Sequence, residues 1–444
     1  MKHKEIEIKY RIPSRIYQEM ILDLRRPHSF AHERVGFLFT RSKKLLSGTL
    51  LILATKYVPV DDADYIHDET VGARINNTAI RKAMQQIYDF KLGGFHVHMH
   101  GHAGTPSPSF TDRKGLPGIV ESFANISGAE LNGYLILSND SFYATIKSGS
   151  GTPYFSPDLF AVLGYPMQFE VSNQSAESSP IFQRQSFLGK KSTLHFNTLR
   201  IAVVGYGGGG SHIGLQLAHL GFMNVTIFDA DHIEDSNLNR LVGGWFADVK
   251  KKLLKTQIAR RVIKNVLPAA RLNLINTRWQ ENAEYLQQAD IVVGCVDTYA
   301  ERQQLETECR RYLIPYIDIG MDVFEQPEKK FHMTGQVILS MPGDSCMSCF
   351  GFLTEEKLAK EAAKYGAVGG RPQVVWPNGL LASSAIGILV DLITGWSGLT
   401  NRNVYLEYDG NTGVLVEHVR MKFATRNCVH YPLNLTGPPI FKKL

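Results

Sequence analysis

Residues 199–231 constrain the fold of this chain more than any other stretch. The run 199–204 is apolar enough for a buried parallel strand. Glycines come directly after it. Gly205 permits a tight turn, Gly207 lets backbone approach a phosphate, and Gly210 lets the next helix pack closely on the strand, with Gly208 between them. A helix from Ser211 to about Gly221 aims free N–H groups at that loop and favours an anion there. The next strand, 224–228, ends in Asp229, nineteen residues past Gly210, near the spacing of an acid that binds a ribose hydroxyl; Asp231 is two residues further on. Strand, loop, helix, strand and acid in this order predict an α/β fold with a doubly wound, Rossmann-like sheet holding a nucleotide.

Three polar residues past this strand discriminate between nucleotides. Asn237, Arg240 and Lys255 fall on a turn and the helix after it. Nucleotidyl transfer needs fixed cations and donors around a reacting phosphate; a hydride carrier does not. A further strand, 291–296, leads into Asp297, where a carboxylate can hold Mg²⁺. Singly, these residues read as solvated helix charges and a helix cap. Together on one crevice they favour ATP. The alternative is an NAD(P)-binding oxidoreductase, which has no use for Asn237 or Arg240.

The motifs Gly205-Tyr-Gly-Gly-Gly-Gly-Ser, Phe228-Asp-Ala-Asp, Ser236-Asn-Leu-Asn-Arg, Lys255-Thr-Gln-Ile-Ala, Cys295-Val-Asp, Pro342-Gly-Asp-Ser-Cys-Met-Ser-Cys-Phe and Pro377-Asn-Gly occur in order. Through them, residues 199–431 resemble the adenylation domain of ubiquitin-activating-like enzymes, the ThiF/MoeB group. The resemblance implies binding of ATP with Mg²⁺ and adenylation of the C-terminal carboxylate of a ubiquitin-like protein or a peptide with a C-terminal glycine. It implies Asp229 on the ribose, Asn237, Arg240 and Lys255 on the phosphates, and Asp297 at magnesium. Phe182-Gln-Arg184-Gln185 is similar to the family's Arg-Gln motif, whose arginine enters the partner subunit's ATP site. Arg184 thus implies a homodimer; alternatively it is a linker charge. The chain departs from the family in about two extra residues between Arg240 and Lys255, with Lys251 and Lys252 as competitors, and in Thr298 where Asn is common.

There are five cysteines, too few for a disulfide scaffold in a chain of 444 residues, and no secretory leader is visible, so a reducing, cytoplasmic setting is expected. Cys295 and Cys309 read as core. Cys346-x-x-Cys349 suits half of a zinc site, and Cys428-Val-His430 could complete a Cys₃His set. Many relatives carry a nucleophilic cysteine after the Cys-x-x-Cys; here 351–372 has none. Either Cys346 or Cys349 accepts a thioester, or the enzyme only adenylates.

The N-terminal half needs its own account. His96, His98, His100 and His102 alternate, so on a strand all four share a face. Two imidazoles plus a later carboxylate make an open zinc site, and a second carboxylate can serve as base. Glu33, the histidine ladder and Ser109-Phe-Thr-Asp112 resemble the JAB/JAMM metalloisopeptidase pattern across residues 1–165. That resemblance implies Glu33 as base, Ser109 as oxyanion donor, and His100, His102 and Asp112 as ligands, with His98 the alternate. It also implies a zinc-dependent (iso)peptidase acting on the same partner. The alternative is an inactive, α+β JAB-like docking domain.

The expected organisation is therefore a JAB/JAMM-like domain over 1–165, a polar linker with the Arg-Gln motif over 166–198, and an adenylation domain over 199–444. The apolar stretch 380–393 is broken by Asp391 and reads as too short to span a bilayer. The net charge of +6 is spread thinly, without aromatic-basic interleaving, so neither nucleic acid nor membrane is an expected partner. A conjugating enzyme is a further partner compatible with the ThiF/MoeB resemblance.

Overall fold

The computed structural model describes residues 6–29, 32–68, 70–172, 180–327, 329–363 and 372–439. They form two compact units. The first takes in 6–162, 169–172 and 433–439; the second takes in 163–168 and 180–432.

The first unit runs β1 (Ile8–Pro13), α1 (Ser14–Leu24), β2 (Val35–Lys44), β3 (Leu50–Pro59), α2 (Asn77–Phe90), β4 (Gly93–Met99), α3 (Phe110–Ala124), β5 (Asn132–Leu137), β6 (Phe142–Lys147), β7 (Tyr154–Phe155), β8 (Leu159–Leu163) and β9 (Gln168–Val171). The strands form one nine-stranded sheet in the order β7-β6-β5-β4-β2-β3-β1-β8-β9. Alternation sorts β4 between two cores. Phe95, Val97 and Met99 join α1's Ile16 and Met20 on one face. On the other face His96 stands edge-on to Phe37, in a core that includes Ile87 of α2 and Phe123 of α3. Antiparallel pairing of β2 with β4 sets Val35 opposite His98, so Glu33, two residues ahead of β2, comes beside His100.

The second unit begins with a 3₁₀ stretch (Pro180–Leu188) and α4 (Ser192–Thr198). It continues through β10 (Arg200–Val204), α5 (Gly208–Leu220), β11 (Asn224–Phe228), α6 (Phe246–Lys250), α7 (Lys255–Val266), β12 (Arg271–Ile275), α8 (Ala283–Gln287), β13 (Ile291–Gly294) and α9 (Tyr299–Arg311). It closes with β14 (Tyr316–Glu325), β15 (Phe331–Ser340), α10 (Glu355–Ala363), α11 (Val375–Thr394), β16 (Val404–Asp409) and β17 (Val414–Glu417). The sheet order is β12-β11-β10-β13-β14-β15-β16-β17. Strands β12 to β14 pair in parallel, and β14 to β17 antiparallel. Strand order reverses between β10 and β13, the switch point where such sheets bind ligands.

Three expectations change. The interval 166–198 is not a plain linker: it contains β9, the 3₁₀ stretch and α4, although its most polar part, 173–179, lies outside the described residues. The C-terminal domain does not run to the end of the chain, because 433–439 pack into the first unit. There the Arg41 guanidinium donates to the Pro438 carbonyl at 3.0 Å, and Leu433 joins the core. The apolar stretch 380–393 belongs to a 20-residue helix, α11, the one helix among the described residues long and apolar enough to cross a membrane. Its most apolar part is 67% buried. It lies against α5, β14 and β15, and its Asp391 accepts the Tyr165 hydroxyl at 2.7 Å, as suits a core helix with its one carboxylate satisfied.

Candidate functional site

At the switch point the glycine loop is tightly wound. Gly205 sits at φ +88°, and a Cβ on Gly210 would stand 1.9 Å from the Gly205 carbonyl oxygen, so α5 can start this close to β10 only on glycine. Asp229, at the end of β11, braces the loop: its carboxylate accepts the Tyr206 N–H at 2.6 Å and the Asp231 N–H at 2.9 Å. Each oxygen keeps a lone pair for a ribose hydroxyl. Burial pushes the Asp229 carboxyl up and the nearby Lys255 draws it down; burial wins.

Lys255 opens α7 with its ammonium 2.7 Å from Asp231 Oδ2 and 3.9 Å from Asp229 Oδ1. Lys251 and Lys252 are exposed. Asn237 accepts the Glu234 N–H at 3.1 Å, and Arg240 donates to the Ser236 carbonyl at 2.6 Å and the Asn239 side chain at 3.0 Å. Asp297, exposed just past β13, accepts the Gln373 amide at 3.2 Å and lines one small cavity with Gly209, Cys295 and Asn378. The Asn378 amide packs on Gly208, where a Cβ would meet it at 2.6 Å.

Sequence reasoning missed the base of this cavity. The Arg302 guanidinium donates to Asp318 and to the Val296 carbonyl, while Tyr316 and Gln336 donate to Asp318 at 2.7 and 3.1 Å. This buried pair ties the segment ahead of Asp297 to β14. Its signal was a carboxylate at Asp318 inside the otherwise apolar run 312–321.

Arg184 is exposed on the 3₁₀ stretch. That stretch docks on the end of α5, where Gln185 donates to the Leu220 carbonyl at 3.0 Å and Phe182 packs against Gly221.

Cys346, Cys349, Cys428 and His430 bring their donor atoms within 4.8 Å of one another. The Cys346–Cys349 and Cys349–Cys428 sulfur separations are 3.6 and 3.7 Å, and His430 Nδ1 lies 3.5 and 3.4 Å from Cys346 and Cys349. Four donors on a tetrahedral zinc stand roughly 3.3–3.8 Å apart, so this set fits. The one-residue gap between Cys428 and His430 is accommodated, with Nδ1 rather than Nε2 turned inward. Cys309 is buried, and burial with nearby Asp318 pushes the Cys295 thiol up. Part of the cysteine-free interval, 364–371, lies outside the described residues.

In the first unit, Glu33, His98 and His100 converge. His98 Nε2 lies 3.2 Å from His100 Nε2 and 3.3 Å from Asp112 Oδ1, and His100 Nε2 lies 3.6 Å from Asp112 Oδ2. These spacings also suit a tetrahedral metal with nitrogen and oxygen ligands, about 3.3 Å apart. The histidines brought beside Asp112 and Glu33 are thus His98 and His100, where the expected pair was His100 and His102 with His98 as the alternate. Strand β4 ends at Met99, the chain then bends away, and His102 is exposed with its Nδ1 2.9 Å from the Ala103 carbonyl. Asp112 reaches the pair because Ser109 caps α3: Ser109 Oγ accepts the Asp112 N–H at 3.1 Å, and Asp112 accepts the Ser109 N–H at 2.8 Å. Burial resists ionisation of Asp112, but hydrogen bonds from His98 and Ser109 outweigh it and hold the carboxyl well below its usual range.

Glu33 is pushed up by burial, against the pull of His98 and His100. A glycine covers it. Gly72 accepts the Glu33 N–H at 2.8 Å, and a Cβ on Gly72 would stand 2.4 Å from Glu33 Oε2. No motif flagged Gly72.

Comparison with known proteins places the second unit. A ubiquitin-like modifier-activating enzyme 5 from Gallus gallus is 27% identical over 167 residues, covering 34% of this chain and 40% of that protein. A molybdopterin-synthase adenylyltransferase from Haemophilus influenzae is 31% identical over 120 residues, covering 27% of this chain and 49% of that protein. The chain thus spans less than half the length of either relative. A crystal structure of E. coli MccB with ATP covers 54% of this chain and 71% of its own at 19% identity and a TM-score of 0.45. The sequence model of the ThiF family matches residues 182–430, which lie within the second unit. That match takes in more than half of the chain, and the chain belongs to the ThiF family.

Proposed function

We propose that the second unit uses ATP to adenylate the C-terminal carboxylate of a ubiquitin-like protein or a glycine-ended peptide. The proposal is carried by Lys255, held at Asp229 and Asp231 beside the glycine loop, with Asp297 near the same loop. The names of the two relatives, an activating enzyme and an adenylyltransferase, agree with it. ATP is a substrate here and supplies the adenylyl group. The α5 N-terminus and Asn237 would hold its phosphates, and Asp229 its ribose. Lys255 and Arg240 would neutralise charge that grows as pyrophosphate leaves. Asp297 would hold Mg²⁺, which adds positive charge at the same oxygens. Arg184 would complete the site of a second copy; Ile181 and Phe187, 78% and 69% exposed beside it, give that homodimer an apolar contact.

Cys346, Cys349 and Cys428 serve a structural zinc in this scheme, Cys309 is buried, and the Cys295 thiol, though it lines the cavity beside Asp297, is pushed up by burial. The chain therefore stops at the adenylate and hands the carboxyl to an outside acceptor, such as a conjugating enzyme. Addition of ATP with Mg²⁺ is expected to raise the melting temperature, and NAD is not. Lys255→Ala should weaken MgATP binding by about tenfold to a hundredfold, one charge-assisted contact. A shift with NAD alone, or full MgATP binding by Lys255→Ala, overturns the proposal.

A second reading is favoured by the convergence of Glu33, His98, His100 and Asp112. The first unit would be a zinc-dependent (iso)peptidase of the JAB/JAMM type, with His98, His100 and Asp112 as ligands. Bound zinc there would polarise a carbonyl and acidify a water. Glu33 would take a proton from water and return it to the leaving amine, and the Ser109 hydroxyl, which still has its proton to donate, would face the developing oxyanion. Glu33→Gln should retain zinc and lose hydrolysis by roughly 10²–10⁴-fold. If His98→Ala and Asp112→Ala leave zinc content unchanged, the unit is a docking domain instead.

A further inference from the structure

Beside the His98–Asp112 cluster the first unit opens a cavity of about 530 Å³. Its lining is mixed: Glu33, His98, Ser109 and Asp112 of the cluster share it with Arg74 and with the apolar Val35, Ile75, Ile80, Leu116 and Ile119. Val35 belongs to the core between the sheet and helices α2 and α3, and Ile75, Ile80 and Ile119 pack against that core, while the irregular stretch 70–74 lines the rest of the cavity. The volume falls in the range of small-molecule sites, about 300–1,000 Å³. A substrate of glycines alone would leave such a recess unfilled.

We propose that this cavity is a side-chain pocket and selects a bulky apolar residue next to the amide bond cut at the metal cluster. The proposal rests on the hydrolase reading of the first unit and adds its substrate class. Hydrolysis places the hydroxyl of one water on the carbonyl carbon and its proton on the amine, and no other reactant is required. Recognition comes from transfer of an apolar side chain out of water into walls already packed. For Leu or Phe against Ser or Asp this predicts a preference of roughly 10- to 100-fold. The bond cut by the first unit is then flanked by a large residue, unlike a tail of glycines.

The test uses the full-length chain carrying Glu33→Gln, loaded with zinc, and four fluorescein-labelled hexapeptides of otherwise glycine and serine that differ at one central residue: Leu, Phe, Ser or Asp. Fluorescence anisotropy should rank Leu and Phe about 10- to 100-fold tighter. Ile80→Trp, which fills the recess, should erase that preference while zinc content by elemental analysis stays unchanged. Ile119→Ala, which enlarges it, should shift preference from Leu towards Phe. Equal affinity for all four peptides in zinc-loaded protein overturns the pocket and leaves the hydrolase reading standing. A wild-type chain that takes up no zinc in the first unit overturns that reading and the pocket with it.

Discussion

The two clusters of metal-type donors have opposite plans. In the second unit, three sulfurs and one nitrogen close a tetrahedron, with Cys346 and Cys428 buried. In the first unit, the imidazoles of His98 and His100 stand between the carboxylates of Glu33 and Asp112, and a cavity of about 530 Å³ lies beside them. On the proposed reading, thiolates closing on themselves suit a structural zinc, and imidazoles and carboxylates facing a cavity suit a catalytic one. The contrast teaches that donor type and neighbouring space, rather than the number of donors, would separate a staple from a reaction centre.

The largest effect should come from opening the closed cluster. Cys349→Ala is expected to lower the melting temperature of the second unit by roughly 10 °C or more, read by calorimetry, since structural zinc is worth several kcal/mol of folding. An unchanged transition would remove the distinction between the clusters. Next comes the open cluster itself. His98→Ala should abolish its zinc and its hydrolysis with little change in melting, whereas His102→Ala should leave both intact; the reverse result would restore the His100/His102 register. The smallest effect should come from Gly72→Ala. Its Cβ would overlap Glu33 Oε2, so hydrolysis should fall by about tenfold to a hundredfold through misplacement of the base, with zinc content unchanged. Equal loss of zinc and activity would mean that Gly72 supports the ligands rather than the base.

Much of the second unit was legible in the sequence because its signals are local. Glycine punctuation and apolar runs gave β11 at Asn224–Phe228 and placed α5 within a few residues. Lys255 stood out from its lysine neighbours because Gln257-Ile-Ala follows it, and it is the one at Asp229 and Asp231. Where the signal was periodic rather than punctuated, the residues could be named but not chosen between. A two-residue repeat makes His96, His98, His100 and His102 equivalent along a strand. Only the end of β4 at Met99 and the capped start of α3 decide which pair meets Asp112. Contacts between separate elements carried little signal beyond a lone carboxylate such as Asp318 in an apolar run. Nothing near Gly72 announces that it covers Glu33, and the Arg302–Asp318 pair joins α9 to β14 without a motif. The split of 433–439 from the rest of the C-terminal half was equally hidden, since no composition change marks it.

The segment 433–439 also decides how the protein can be divided. Leu433 and the Pro438 carbonyl are parts of the first unit's own core and hydrogen bonding, though more than 260 residues of sequence lie between them and β9. A fragment cut near residue 165 would lack them, and a single protease nick between β9 and α4 would leave them behind on the larger piece. Attempts to isolate the first unit should therefore graft 433–439 back through a short linker, or keep the chain whole and silence each unit by point mutation.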